Sequence, residues 1–163
     1  MKKRVAIYPG SFDPPTLGHL NLVERGVEIF DEVIVAVAES ISKNYIFTSE
    51  ERVRLWKKLL KNVPRTKVET FKGLLVDYVE GKGTNIILRG LRNVTDFEYE
   101  IMMATTNRKL APHIETIFIM TEGNYSHISA SLIKEIVVLG GCVQGMVPAV
   151  VEKELRKKLL SKK

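Results

Sequence analysis

Only one cysteine, Cys142, occurs in the 163 residues, so no disulfide can close within the chain. No apolar run approaches the ~20 residues that a membrane-crossing helix needs. The opening Met1-Lys2-Lys3-Arg4 has the charge of a signal peptide. The apolar stretch behind it, residues 5–8, is too short for such a peptide and meets Pro9 at once. These absences make a cytoplasmic protein without a membrane partner the simplest expectation.

Zinc-type spacing of Cys and His is missing, as is an aromatic-rich RNA-binding signature. No cluster of His, Cys and carboxylate has metal-ligand spacing. Neither G-x-x-x-x-G-K-[ST] nor a G-x-G-x-x-G after the first apolar run is present, which weakens the kinase and dinucleotide-oxidoreductase readings. Internal repeats, low-complexity segments and linkers are absent too, so one domain over residues 1–163 is expected.

Positive charge is abundant, with a formal net charge of +6 and pI near 9.4. Residues 2–4 hold +3 of it and residues 152–163 hold +4, which leaves the body of the chain at −1. An excess confined to the two ends reads as solvated termini and argues against a nucleic-acid face. The 45% hydrophobic and 27% charged composition is that of a globular protein.

Short, β-branched apolar runs occur at residues 4–8, 32–38, 67–71, 85–88 and 115–120. Continuous runs of this kind suit strands buried on both faces. Between them lie helical spacings: Leu20, Val23, Val27, Phe30; Val53, Trp56, Leu59, Leu60; Leu75, Tyr78, Val79; and Phe97, Ile101, Ala104. Two more helices are expected over residues 129–139 and 147–160, separated by GGCVQGMVP. Strict alternation of strand and helix predicts an α/β fold: a five-stranded parallel sheet with helices on both faces and right-handed crossovers.

Ligands of such sheets bind beyond the carboxyl ends of the strands, where strand order reverses. The first strand leaves through YPGSFDPPTLGH, residues 8–19. Gly10 allows close backbone approach, Pro9, Pro14 and Pro15 stiffen the turn, Ser11 offers a hydroxyl, and His19 stands in the first turn of the next helix. A helix start with free amides favours phosphate. Lys43 follows the second strand, and Arg89 and Arg92 flank Gly90-Leu91 after the fourth, where guanidinium forks suit phosphate.

Each of these has a plainer alternative. His19 could cap its helix or sit in the core, and Lys43 could be a solvated surface charge. The two arginines could form surface ion pairs with Asp96 or Glu98. Ser129 is a natural N-cap, while Leu75, Tyr78, Trp56, Met102 and Met103 read as packing. Cys142 reads as packed and unreactive.

The segment GSFDPPTLGH resembles the phosphate loop of the nucleotidylyltransferase superfamily, whose [HT]-x-G-H element stands here as Thr16-Leu17-Gly18-His19. LRGLRNVTDFEYE (residues 88–100) and YSHISASLIKE (residues 125–135) follow in the same order. The latter is similar to the superfamily's I-S-[ST]-[ST] helix start. Order, spacing and length together resemble the phosphopantetheine adenylyltransferase family.

That resemblance implies a Rossmann-like dinucleotide-binding fold. It also implies transfer of the adenylyl group of ATP to 4′-phosphopantetheine, giving 3′-dephospho-coenzyme A and diphosphate, the penultimate step of coenzyme A synthesis. In-line attack on the α-phosphate needs positioning and cationic donors, and no covalent nucleophile. The resemblance makes His19 the transition-state stabiliser, with Lys43 and Arg92 as further catalytic groups. It assigns Ser11, Phe12, His19, Gly90, Leu91, Arg92, Glu100 and Tyr125, Ser126, His127, Ile128, Ser129, Ala130, Ser131 to ATP, and Ser11, Lys43, Leu75 and Arg89 to phosphopantetheine. Asp96 and Glu98 stay structural. Magnesium is expected to arrive with ATP, coenzyme A is a candidate inhibitor, and the assembly implied is a homohexamer with Met102 and Met103 as candidate contacts.

Three positions depart from the family pattern: Ser11 stands where many relatives have Thr, Thr16 replaces the first His of other branches, and Ala130 removes one hydroxyl. None removes a group that the chemistry needs. A sister enzyme acting on nicotinate mononucleotide would share the His19 loop, although RGLRNVTDFEYE favours phosphopantetheine. A non-catalytic nucleotide sensor or RNA-binding module would bind without releasing diphosphate.

Overall fold

Strands and helices alternate through the computed structural model, which describes residues 3–39 and 44–160. The order is β1 (Val5–Gly10), α1 (Leu17–Ile29), β2 (Glu32–Ala38), α2 (Ser49–Leu59), β3 (Thr66–Phe71), α3 (Leu75–Gly81), β4 (Ile86–Leu91), α4 (Val94–Leu110) and β5 (Glu115–Met120). A 3₁₀ turn at Gly123–Tyr125 leads to α5 (Ala130–Val138) and α6 (Ala149–Leu160). The strands are all parallel and lie in the order β3-β2-β1-β4-β5. The chain winds outward from β1 to β3, then returns to the other side of β1 for β4 and β5. That reversal places the switch point between β1 and β4.

Successive side chains of the buried central strands point to opposite faces and sort the core into two layers. Ala6, Tyr8, Val33, Val35, Val37 and Leu88 pack beneath α1 and α2, against Leu22, Val23, Val27, Trp56 and Leu60. Ile7, Ile34, Ala36 and Ile87 face the opposite way, towards Val76 and Val79 of α3 and towards Ala111 and Ile114. A third cluster joins α2 to α5 and α6 through Phe47, Leu55, Ile133, Val137, Val151 and Leu155.

Side-chain caps fix where helices begin. Thr48 accepts from the Glu51 N–H while Glu51 accepts from the Thr48 N–H, a reciprocal cap on α2. Asn93 caps α4 through the Asp96 N–H, and Ser129 caps α5 through the Leu132 N–H. The expected N-cap role of Ser129 is present.

The sequence pattern misplaces some boundaries and faces. Pro9 does not end β1, which continues through Gly10. The β1–β4 ladder stops at Ile7↔Ile87, whereas β1–β2 pairing runs on to Gly10↔Val37. The missing Pro9 N–H therefore falls where no ladder bond to β4 is needed. Arg89, Gly90 and Leu91 belong to β4 and do not follow it. β3 and β5 are edge strands with mixed exposure instead of fully buried ones.

The largest departure is α4. Its only buried residues are Glu100 and Asn107. Phe97 and Ile101, which carry the helical spacing, and Met102 and Met103, expected as packing, are exposed, Met102 to 56%. The helix turns Glu100 and Asn107 inward and leaves large apolar side chains exposed around the rest of its circumference, unlike a core helix. Cys142, expected to be packed, is exposed as well. Trp56 does pack, fully buried edge to face against Phe12 at 5.1 Å between ring centres.

Candidate active site

β1 and β4 part after Ile7 and Ile87, and a cleft of about 310 Å³ opens between their carboxyl ends. Its floor is Tyr8, Pro9 and Gly10 from β1 and Arg89 and Gly90 from β4; its walls come from the starts of α1 and α5. Glycine is required where the walls meet. A Cβ on Gly90 would lie 2.9 Å from Cδ1 of Leu22, and one on Gly10 would lie 2.6 Å from the Phe12 ring. A wider groove of about 740 Å³ between α2 and β3 is lined by solvated Lys, Arg and Glu side chains with no glycine loop.

His19 is the third residue of α1 and completes a cap. Its backbone N–H donates to Thr16 Oγ1 at 3.2 Å, and the Thr16 N–H donates to His19 Nδ1 at 3.1 Å. The helix-capping alternative and the site therefore coincide in one side chain. Because Nδ1 accepts, the proton of the neutral ring sits on Nε2. Burial, then the charges of Arg92 and Arg89, lower the His19 pKa to about 3. The ring is thus a neutral Nε2–H donor at physiological pH, held edge to face against Phe12 at 5.2 Å.

Two arginines are oriented from behind by carboxylates of α4. Arg89 donates through Nε to Glu100 at 2.7 Å, through Nη2 to the same carboxylate, and through Nη1 to the Pro9 carbonyl at 2.6 Å. That last bond spans β1 and β4 where their ladder has ended. Arg92 grips Asp96 at 2.7 and 3.0 Å and donates through Nη1 to the Ile128 carbonyl at 2.6 Å. Each guanidinium has five N–H groups, so two remain on each for a ligand. Burial opposes the Arg89 charge, but bonding to Glu100 raises its pKa and keeps it cationic.

The ion pair with Asp96 and the placement in the cleft, weighed above as alternatives for Arg92, both occur. Glu98 is exposed and takes no part. Ser11, Phe12, His19, Arg89, Gly90, Arg92, Glu100, Tyr125, Ile128, Ser129, Ala130 and Ser131 all line the cleft. Leu91, Ser126 and His127 adjoin it in sequence without lining it. Leu75 starts α3 and packs with Phe71 and Tyr78 on the other face of the sheet. Lys43 lies outside the described residues.

Sequence reasoning passed over Tyr8, Thr121, Asp13 and Arg52. Tyr8 and Thr121 line the cleft, and burial raises the Tyr8 phenol well above its ordinary range. Asp13 is buried and accepts from the N–H groups of Ile46 and Phe47, both at 2.9 Å. Arg52 is 2% exposed in the first turn of α2. An Asp among prolines signals only a turn, and an Arg in an S-E-E-R helix start signals only a solvated face.

Comparison with known proteins follows the same lines. Residues 7–136 match the family model described as Cytidylyltransferase-like. The chain is 50% identical over 155 residues to the phosphopantetheine adenylyltransferase of Carboxydothermus hydrogenoformans, covering 95% of this chain and 96% of that one. It is 49% identical over 156 residues to the enzyme of the same name from Clostridium novyi, covering 96% and 97%. A solved structure titled as a putative nicotinate-nucleotide adenylyltransferase from Vibrio parahaemolyticus superposes with a TM-score of 0.67 over 99% of this chain and 98% of that one. At 18% identity, that likeness speaks for the fold alone.

Proposed function

The chain belongs to the phosphopantetheine adenylyltransferase family of cytidylyltransferase-like enzymes, and from that premise we propose that it joins ATP to 4′-phosphopantetheine by direct in-line displacement. A phosphate oxygen of phosphopantetheine attacks the α-phosphorus of ATP, the bond from that phosphorus to the bridging oxygen breaks, and diphosphate leaves with the bond's electrons. The product is 3′-dephospho-coenzyme A. No covalent enzyme intermediate forms, because donors and position suffice for this step.

The observation that carries this reading is the neutral His19, its Nε2–H available beside Arg89 and Arg92 in a cleft with two helix starts. Nε2–H donates to the α-phosphate, where negative charge grows in the transition state. Arg92 binds the phosphates of ATP, and Arg89 the phosphate of phosphopantetheine. The amides of residues 129–131 and the Ser11-Phe12 loop receive the nucleotide. Lys43 and Leu75 complete the phosphopantetheine site by resemblance. Asp96 and Glu100 act through the arginines that they orient, although the family resemblance gives Glu100 a direct nucleotide contact.

Magnesium accompanies ATP as a substrate ion in this reading. The two cleft carboxylates, Asp96 and Glu100, are both engaged by arginine, so their chemistry does not suit a resident cation. Among the described residues no group of three His, Cys, Asp or Glu is placed to hold one.

The exposed apolar side chains of α4, with Ile117 and Met120 on the adjoining edge strand, support self-association, and the homohexamer implied by resemblance is the proposed state. Among the described residues no helix is long and apolar enough to cross a membrane. The cytoplasm, with its ATP, is the proposed compartment, and coenzyme A, which contains the product, is the proposed inhibitor.

Diphosphate release from magnesium-ATP, run with phosphopantetheine, with nicotinate mononucleotide and with no acceptor, tests the assignment. Release only with phosphopantetheine is expected. Release only with the mononucleotide would move the chain to the sister activity that the 18% identical structure bears in its title, and no release with either would leave a binding module.

A further inference from the structure

Arg52 is a buried cation with no obvious reason for its place. It sits in the first turn of α2, where the helix dipole disfavours positive charge. Among the described residues it makes no ion pair with a carboxylate; neighbouring Glu51 pairs instead with Lys158 at 2.5 Å and Arg54 at 3.9 Å. Stability alone would favour an apolar residue at such a position.

What Arg52 does contact is the phosphate loop. Nη1 donates to the Ser11 carbonyl at 2.6 Å and to the Ala38 carbonyl, at the end of β2, at 3.0 Å. Nε donates to the Thr48 carbonyl at 3.4 Å, and the guanidinium lies 4.2 Å from the centre of the Tyr45 ring. One residue beyond Phe12, Asp13 is anchored in turn by the Ile46 and Phe47 N–H groups. Phe12, between these anchors, has φ of +50°, a left-handed conformation that a bulky residue keeps only when its surroundings impose it.

The peptide joining Ser11 to Phe12 is planar and trans, so its C=O and N–H point in opposite directions. With the carbonyl taken by Arg52, the Phe12 N–H faces away from α2, and no acceptor for it exists among the described residues. We propose that Arg52 is a positioning residue for adenylyl transfer: by holding the Ser11 carbonyl, it fixes the Phe12 N–H as a donor to a phosphate oxygen of ATP. A backbone amide beside a left-handed residue is a recurrent anion donor. This inference rests on the adenylyltransferase reading and adds to it the residue that sets the loop.

Arg52→Lys keeps the charge but loses both the Nε donor to the Thr48 carbonyl and the flat guanidinium that stacks on Tyr45, so its flexible ammonium is no longer held against the Ser11 carbonyl. Tyr45→Leu leaves the guanidinium but removes the ring that steadies it. In Arg52→Lys, kcat per folded active site should fall at least ~10-fold, the range expected when a reacting group is misplaced. By calorimetry, the Kd for inorganic diphosphate should rise at least ~5-fold while that for adenosine, which has no phosphate, changes less than ~2-fold. Tyr45→Leu should move the same readouts in the same direction by ~3-fold, and it serves as the test if Arg52→Lys does not fold.

A purely structural Arg52 would lower the melting temperature yet leave kcat per folded site and diphosphate affinity unchanged; that result in the folded variants overturns the proposal. Equal losses for adenosine and diphosphate overturn it too. Wild-type enzyme that binds diphosphate but transfers no adenylyl group would defeat the functional reading instead, and the calorimetry would still report on the loop.

Discussion

Thr16 and His19 each accept, through the side chain, the backbone N–H of the other. Glutamate or glutamine usually closes such a box at the third helical position. With histidine there, the cap leaves a second ring nitrogen free. Capping thus selects the tautomer, aims Nε2–H outward, and ties the aim of the donor to the start of α1.

His19→Ala should lower kcat by at least ~10²-fold with little change in ATP affinity, the signature of a donor that matters most in the transition state. Steady-state rates and ATP calorimetry on one preparation measure both, and a near-normal kcat would remove His19 from the mechanism.

Thr16→Val keeps the side-chain volume and removes the hydroxyl that accepts the His19 N–H. Loss of an N-cap costs ~1 kcal/mol, so the melting temperature should fall by ~2–4 °C. Because His19 loses one of its two tethers, kcat should fall as well, by more than the stability change explains. A variant that melts early but turns over normally would separate capping from aiming.

The depressed pKa of His19 sets a pH dependence of stability. Between about 3 and its ordinary value near 6.5, the unfolded chain binds a proton on this residue that the folded one excludes. Stability therefore falls as pH drops through that window, and above it the residue contributes nothing. Thermal melts at pH 7 and pH 5 should show a larger acid loss for the natural protein than for His19→Asn; parallel curves would place the ring in a more polar setting.

Arg89→Ala should weaken phosphopantetheine binding more than ATP binding, since a bidentate phosphate contact is lost. Glu100→Gln should act in the same direction but more mildly, by loosening the fork while leaving its charge. Titration with each ligand separately decides the matter: equal losses for both would mean that the Arg89–Glu100 pair supports the cleft as a whole.

Ile101→Asp combined with Met102→Glu places two charges among the exposed apolar side chains of α4. Sedimentation should show a smaller particle than the natural assembly, with helical content retained. An unchanged mass would direct the search for the contact elsewhere.

Local pattern made the class of fold legible, and the family resemblance named most of the residues that line the cleft. Most strands and helices were written in the period of their apolar residues, and the turn chemistry of residues 9–19 marked a loop suited to phosphate. Boundaries failed where tertiary context overrode a local rule. Pro9 looks like a strand end but lies where β1 has already lost its β4 neighbour. The apolar spacing of α4 looks like a core stripe because the sequence cannot say whether its cover comes from this chain or another.

His19, its loop and the order of elements were therefore fixed by near neighbours along the chain, since caps, turns and hydrophobic periods act over a few residues. The pairing of Arg89 with Glu100, the reach of Arg92 to Ile128 and the burial of Arg52 beneath Ser11 were decided only when helices docked against the strand ends. Those contacts join residues 11, 36 and 41 positions apart. A charged side chain looks alike in sequence whether it meets water, a carboxylate or a backbone carbonyl, and the packing of the sheet chooses among them.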